Sequence, residues 1–320
     1  MSEFALAIHG GCGVMAQLDL TAEEWASARV DLGRSIKAGW QVLSQGGNAI
    51  DAVEAAVVVM EDSVHFNAGY GAALNTNGAH ELDASIMDGR GLEAGAITLA
   101  NRIKNPIKAA HAVLRSGEMV LIGGDAANDF AEKAGLDMVA SDYFTTDRRR
   151  NALASMKAHE QAGTAAAASE AEKHGTVGAV ALDSHGHLAA ATSTGGYNNK
   201  PAGRIGDSPI IGAGTYARDG VCAVSGTGKG EFFIRHAVGH EIASRVAYLG
   251  ENVEQAAGKV IHDDLKPHNI GAGLVCIGAD GTITAPFNTD GMFRGWVSGN
   301  GDVFVATHSE VFNLGAADKL

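Results

Sequence analysis

The run FALAIHGG (4–11) is apolar at nearly every position and stops at a glycine pair, as a strand covered on both faces would. Thr21 and Glu24 then stand at capping-box spacing ahead of a helix that Gly46 and Gly47 close. Asn48 is placed to cap a second helix, with Ile50, Val53, Val57 and Met60 on one face. Residues 81–100 read as two strands joined by DGRG. NPIKAAHAVLRSG is a helix with Pro106 in its first turn, EMVLIGG a short strand and DAANDFAEKAG a helix.

From about residue 145 the pattern fades. The stretch to residue 175 has few large apolar residues, and although its alanines favour helix it has little to bury, so it reads as a flexible linker. The pattern then returns abruptly at KHGTVGAVALD (173–183). From Thr176 the chain reads as strand, turn, strand through residue 192. VCAVSG is a further strand, 231–248 and 252–265 are helices, and GLVCIGADGTITAPFN is a second hairpin turning at Asp280-Gly281. Strands and helices come in blocks instead of strict alternation. That predicts an α+β fold of stacked helix and sheet layers rather than a doubly wound parallel sheet.

Composition narrows the function. The chain has 320 residues, 46% of them hydrophobic, enough for one large core or two ordinary ones. A net charge of -13, with no basic cluster beyond Arg148, Arg149 and Arg150, argues against a nucleic-acid partner. Cys12, Cys222 and Cys276 form no C-x-x-C pair, so neither a disulfide framework nor a cysteine zinc site is expected. The N-terminus lacks the basic stretch of a signal peptide, and no apolar run reaches membrane-spanning length. The expectation is a cytoplasmic protein with no membrane partner.

Several short motifs suggest chemistry. SGTGKGEFFIRH (225–236) is a glycine-rich loop entering a helix, but it lacks the hydroxyl after Lys229 that a P-loop needs. A tight turn and a main-chain cradle for another anion both remain open. HAVGH (236–240) has zinc spacing without the neighbouring glutamate of metalloproteases, so partly buried helix histidines are the plainer reading. IHGGCG (8–13) looks like an esterase oxyanion loop, but no G-x-S-x-G accompanies it. Arg204 and Asp207, three apart beside glycines, carry the two charges needed to hold an amino acid by its carboxylate and ammonium. A surface ion pair would explain them as well.

Taken together, HGTVGAVALD, AATSTGG, GRIGDSPIIGAGTYA and SGTGKGE resemble, in order and spacing, the plant-type asparaginases, or isoaspartyl peptidases. IHGGCG, FNAGYGAALN and HELDASIMDG extend the resemblance over nearly the whole chain. It implies a four-layer αββα sandwich of the N-terminal-nucleophile hydrolases. It also implies a precursor that cuts itself between Gly175 and Thr176 into an α subunit (1–175) and a β subunit (176–320), one structural domain assembled as (αβ)2. The linker would become the tail of the first subunit.

The resemblance makes Thr176 the nucleophile. Its own α-amine, with an ordinary pKa of about 7.7–8.0, would be the base once freed. Thr194 would orient it, and the Thr227 hydroxyl and Gly228 N–H would form the oxyanion hole. Arg204 and Asp207, with Gly230 beside them, would clamp the α-groups of an aspartyl substrate, and Asn67 would lie near the nucleophile. No cofactor is implied for catalysis, but a structural sodium ion is, held by main-chain carbonyls from Met60, Glu61, Ser63, Phe66, Ala68 and Tyr70. Lys229 and Tyr70 stand where the family varies, so Lys229 bears on leaving-group preference. The implied substrates are small: β-aspartyl dipeptides and asparagine. Glycosylasparaginase is the nearest alternative, but that family typically carries Asp before its nucleophile, where Gly175 stands here. An aspartyl-specific endopeptidase carries a longer linker. A non-catalytic amino-acid binder would not need the intact nucleophile, Thr194 and clamp.

Overall fold

Alternate residues of the apolar strands serve two different cores, which is why their sequences are apolar throughout. In the strand Val177–Leu182, Val177, Ala179 and Ala181 enter one core while Val180 and Leu182 enter another. Leu6 and Ile8 against Ala5 and Ala7 divide the strand Ala5–Gly13 in the same way.

The computed structural model describes residues 4–13, 20–162, 175–299 and 301–319. In chain order come β1 (Ala5–Gly13), α1 (Ala22–Ser44), α2 (Ala49–Glu61), β2 (Leu82–Asp88), β3 (Glu93–Ala100), α3 (Pro106–Ser116), β4 (Leu121–Gly123), α4 (Asp125–Lys133) and α5 (Asp147–Gln161). After the cut expected from the sequence come β5 (Val177–Leu182), β6 (Leu188–Thr194), β7 (Thr215–Arg218), β8 (Cys222–Gly228), α6 (Gly230–His236), α7 (Val238–Leu249) and α8 (Val253–Lys259). The chain closes with β9 (Ala272–Gly278), β10 (Ile283–Thr284), β11 (Gly291–Val297), β12 (Asp302–Ala306) and β13 (Val311–Ala316). The content is mixed helix and sheet, an α+β fold.

The large sheet runs β13-β12-β11-β1-β5-β6-β2-β3-β4, and the small one β10-β9-β8-β7. Among these ladders only β3 and β4 pair in parallel. β5, the strand that Thr176 leads into, is the middle of nine. α1, α2 and α3 pack on one face of the large sheet, β7, β8 and β9 on the other, and α7 and α8 cover the small sheet. Strands from before and after residue 175 interleave in the large sheet.

Local details depart from the sequence reading. The Thr21–Glu24 capping box forms, but Asn48 makes no side-chain cap bond. Asp183 instead accepts from the Ala49 N–H at 3.1 Å, tying α2 to the turn after β5. The helix expected over 231–248 breaks at Ala237, which is left-handed (φ 47°). There the Gly239 and His240 N–H groups turn to the Ala213 and Gly212 carbonyls. The helix expected over 252–265 gives way after Lys259 to a π-helical turn, Val260–Leu265. Much of the stretch read as linker is α5. Thr146 caps it, and the buried Arg149 donates from Nε to the Gly71 carbonyl at 2.5 Å. Residues 163–174 lie outside the described residues.

Candidate active site

Strand alternation puts Thr176 and Thr194 on the same side of the large sheet, facing the small one. Odd-numbered neighbours Val177, Ala179 and Ala191 belong to the helix-side core. Both threonines are buried. The Thr176 hydroxyl donates to Thr194 Oγ1 at 3.0 Å. Thr194 in turn donates to the Gly175 carbonyl at 3.3 Å and accepts from the Gly196 N–H at 3.0 Å.

Asn67 completes this cluster. Its Nδ2 donates to the Gly175 carbonyl at 2.7 Å and to the Gly196 carbonyl at 2.5 Å. Its Oδ1 accepts from Ala73 N–H at 2.6 Å, and its own carbonyl accepts from Gly195 N–H at 3.0 Å. With both ends held, the amide stays aimed at the Gly175 carbonyl. Two donors therefore converge on the oxygen of the peptide bond that precedes Thr176. While that bond is unbroken, the Thr176 nitrogen is an amide without basicity.

Arg204 and Asp207 line the same small cavity as Gly175, Thr176, Thr194 and Gly228. They do not make a surface ion pair with each other. Asp207 is buried, burial pushes its carboxyl up to about 7, and Oδ2 has no hydrogen-bond partner. An ammonium would supply both the missing hydrogen bond and the missing charge. Arg204 instead meets Glu231, its Nε donating to Oε1 at 3.0 Å, and its guanidinium lies 4.8 Å over the Tyr197 ring. Burial lifts the Glu231 carboxyl, but the Arg204 charge and hydrogen bond, a main-chain hydrogen bond and Lys229 together leave it below its ordinary value. Sequence spacing missed Glu231 and Tyr197. The only available signal was a glutamate directly after Gly230.

The loop from β8 into α6 carries Thr227, Gly228, Lys229 and Gly230. Gly228 has φ +142°, and a Cβ there would stand 2.4 Å from the Gly271 carbonyl, so glycine is required. Gly228 lines the cavity, while Thr227 Oγ1 accepts from the Cys12 N–H at 3.4 Å. A Cβ on Gly230 would stand 2.7 Å from Asp207 Oδ1 and 3.0 Å from an Arg204 nitrogen, which places Gly230 against the pair as expected. Lys229 Nζ lies 5.5 Å over Tyr197, on the ring that also stacks with Arg204.

The other motifs take plainer roles. His236 pairs with His268 (Nε2 to Nε2, 3.1 Å) and His240 with Ser244. The break at Ala237 separates the two histidines, and no group of three metal-ligating side chains occurs among the described residues. IHGGCG lies along β1, where His9 meets Ser225 and Cys12 meets Thr227. All three cysteines are buried thiols. Glu61, named above only for its carbonyl, also buries its side chain, which accepts from Ser193 Oγ at 2.6 Å and Ile107 N–H at 2.9 Å. Burial pushes that carboxyl up to about 8. No helix among the described residues is long and apolar enough to cross a membrane.

Comparison with known proteins identifies the family. A family model described as Asparaginase matches residues 2–306. The chain is 40% identical over 299 residues to the isoaspartyl peptidase of Salmonella typhimurium, covering 92% of this chain and 96% of that protein. It is 37% identical over 327 residues to a probable isoaspartyl peptidase/L-asparaginase 2 of Arabidopsis thaliana, covering 96% and 99%. With the isoaspartyl peptidase/L-asparaginase of Homo sapiens it shares 44% identity over 225 residues, 70% and 71% of the two chains.

Proposed function

This chain belongs to the asparaginase family and is a hydrolase, and we propose that it activates itself by cutting before Thr176 and then cleaves β-aspartyl dipeptides and L-asparagine. The observation that carries this reading is the convergence of Asn67 and Thr194 on the Gly175 carbonyl, with the Thr176 hydroxyl held one hydrogen bond away. In self-cleavage the Thr176 hydroxyl oxygen adds to the Gly175 carbonyl carbon. The two donors stabilise the negative charge that develops on the carbonyl oxygen. The C–N bond then breaks and the nitrogen takes up the hydroxyl proton, leaving an ester between Gly175 and the Thr176 oxygen. Water hydrolyses the ester, freeing the Gly175 carboxylate, the hydroxyl and an α-amine.

The free amine is the base the precursor lacks. It takes the hydroxyl proton as Thr176 attacks the substrate's side-chain carbonyl, and that proton passes to the departing amine or ammonia. Thr194 orients the hydroxyl, and the Thr227 hydroxyl and Gly228 N–H receive the oxyanion. Water then releases aspartate from the acyl-enzyme. Arg204 binds the substrate's α-carboxylate in competition with Glu231, and Asp207 binds its α-ammonium. Both α-groups are free together only when the scissile bond is at the side-chain carbonyl, which selects β-linked over α-linked peptides.

We place these pieces in an αββα sandwich of four layers, cut into two chains and assembled as (αβ)2 in the cytoplasm, with no nucleic-acid or membrane partner. The loop after α2 suits a structural sodium ion. The Val64 and Phe66 carbonyl oxygens lie 3.2 and 3.3 Å from where a Cβ on Gly71 would stand, so glycine leaves a cradle walled by main-chain oxygen. The ion would be held by carbonyls of residues 60–70 and would stiffen the loop that carries Asn67. The test is a substrate panel of β-Asp-Leu, α-Asp-Leu, asparagine and N-acetylglucosaminyl-asparagine. β-Asp-Leu should be cleaved best and α-Asp-Leu not at all. Preference for the sugar conjugate would make the protein a glycosylasparaginase.

A further inference from the structure

The loop from β8 into α6 places a cation at the cavity rim that the proposed reaction leaves unused. Gly228 lines the cavity and Gly230 packs against Asp207 and Arg204, and neither has room for a side chain. A Cβ would stand 2.4 Å from the Gly271 carbonyl oxygen at the first and 2.7 Å from Asp207 Oδ1 at the second. Lys229, between them, therefore presents the only side chain of the three. Its main chain is pinned on both sides: the N–H donates to the Gly271 carbonyl at 3.1 Å, and the carbonyl accepts from the Phe232 N–H at 3.0 Å. The side chain is half-buried and makes no ion pair among the described residues. Its Nζ lies 5.5 Å over the Tyr197 ring.

Tyr197 itself lines the cavity beside Thr176 and Arg204. One ring thus carries two cations, Arg204 at 4.8 Å and Lys229 at 5.5 Å. Two like charges this close repel unless anions offset them. Glu231 supplies one anion, and Arg204 holds it at 3.0 Å. Lys229 is left with the ring face alone, so an anion is what its position lacks. The charges of a β-aspartyl dipeptide complete the set. Such a dipeptide carries one α-ammonium and two carboxylates, one on the aspartyl residue and one on the amino acid that leaves. Asp207 and Arg204 take the ammonium and the aspartyl carboxylate, and the second carboxylate remains. The two carboxylates stand about 7 Å apart, two residues of extended chain, a span that cations seated around one ring can match. With the aspartyl end in the buried clamp, the leaving amino acid points toward the half-exposed rim. Asparagine has no second carboxylate to bring there.

We propose that Lys229, steadied by the Tyr197 ring, binds the free α-carboxylate of the departing amino acid, so that the site selects β-aspartyl dipeptides with an ionised C-terminus over asparagine and over dipeptides ending in an amide. Lys229 moves no proton and touches no reacting atom. It holds the far end of the substrate and lets it go with the product. A charge-assisted contact at a half-exposed rim is modest, about three- to tenfold in kcat/KM. Glu231 is the rival partner. If Lys229 served only to receive Glu231 once the substrate displaces it from Arg204, it would help every substrate alike, since all carry the aspartyl α-carboxylate. A contact to the leaving group helps only the substrate that has the second carboxylate.

This inference rests on the proposed hydrolysis of β-aspartyl peptides, and its test separates the two. Self-cut wild type, Lys229→Met and Lys229→Arg are assayed on β-Asp-Leu, on β-Asp-Leu amide and on asparagine. Wild type should prefer β-Asp-Leu to its amide in kcat/KM. Lys229→Met keeps an unbranched stem and loses the charge, so the ratio of the two dipeptides should fall by about three- to tenfold, while Lys229→Arg should retain it. Added salt should lower the wild-type ratio as well, because the contact is half-exposed. A wild type that does not prefer the free dipeptide overturns the inference without any variant. So does Lys229→Met if its ratio is unchanged, whether it keeps full activity or loses the same factor on all three substrates. Wild-type protein that cleaves none of the three would instead overturn the functional reading, and this inference with it.

Discussion

The hydroxyl of Thr176 donates to that of Thr194 at 3.0 Å, across two neighbouring strands of the large sheet. Because Thr194 also donates to the Gly175 carbonyl, one side chain touches both the oxygen proposed to attack and the carbonyl oxygen of the bond proposed to break. Thr176→Ala should therefore remain a single full-length band on denaturing gels. Thr194→Val, which keeps shape but loses both bonds, should cut at least about tenfold more slowly than wild type. Cutting of Thr194→Val at the wild-type rate would remove Thr194 from the account.

Arg204→Ala and Asp207→Ala should still cut themselves, because the Gly175–Thr176 peptide offers no α-carboxylate or α-ammonium to the clamp. Their kcat/KM on β-Asp-Leu should fall on the order of 10⁴-fold, as in sites that lose the partner of a buried polar group. If both variants stay uncut, these residues serve the fold and the clamp reading fails.

Asp207 also sets a pH dependence. Burial raises its carboxyl to about 7, so in the free enzyme it is neutral below that pH and cannot receive an ammonium as a carboxylate. On wild-type enzyme kcat/KM should fall more steeply than kcat below about pH 7, because the α-amine base must be neutral for both, whereas Asp207 has to ionise only in the free enzyme, bound ammonium favouring the carboxylate. The pH profiles of kcat/KM and kcat check this, and acid limbs of equal slope would contradict it.

Glu61 predicts a separate dependence, in stability. Its folded value of about 8 exceeds the ordinary 4.5, so the folded state holds a proton that the unfolded chain releases. That contribution is complete below about 4.5 and is lost as pH rises through about 8. Denaturant titrations at about pH 6 and pH 9 should show wild type losing more stability than Glu61→Gln across that interval. Equal losses would mean that Glu61 titrates normally.

The central hairpin and the first two helices were legible in the sequence because their patterns are local: continuous apolar strands, a capping box, a glycine pair. α5 was not, since polar anchors hold it: the Thr146 cap and the bond from Arg149 to the Gly71 carbonyl, 78 residues away. β7 and β11–β13 went unread as well. In β11 the apolar run is interrupted by Arg294, a cation whose burial is made possible by the distant His308 carbonyl and the Phe287 ring. The break falls at Ala237 itself, which is neither glycine nor proline, with Gly239 two residues on. The site residues came from resemblance to a family, whereas Glu231 and the partners of His9 needed three-dimensional neighbours to be seen.

The most direct measurement follows freshly made wild-type protein over time, recording intact mass and β-Asp-Leu hydrolysis from the same samples. If the freed α-amine of Thr176 is the base, the 320-residue mass should give way to two species ending at Gly175 and starting at Thr176, and activity should rise in proportion to the fraction cut. Full activity in protein that is still uncut would contradict the account.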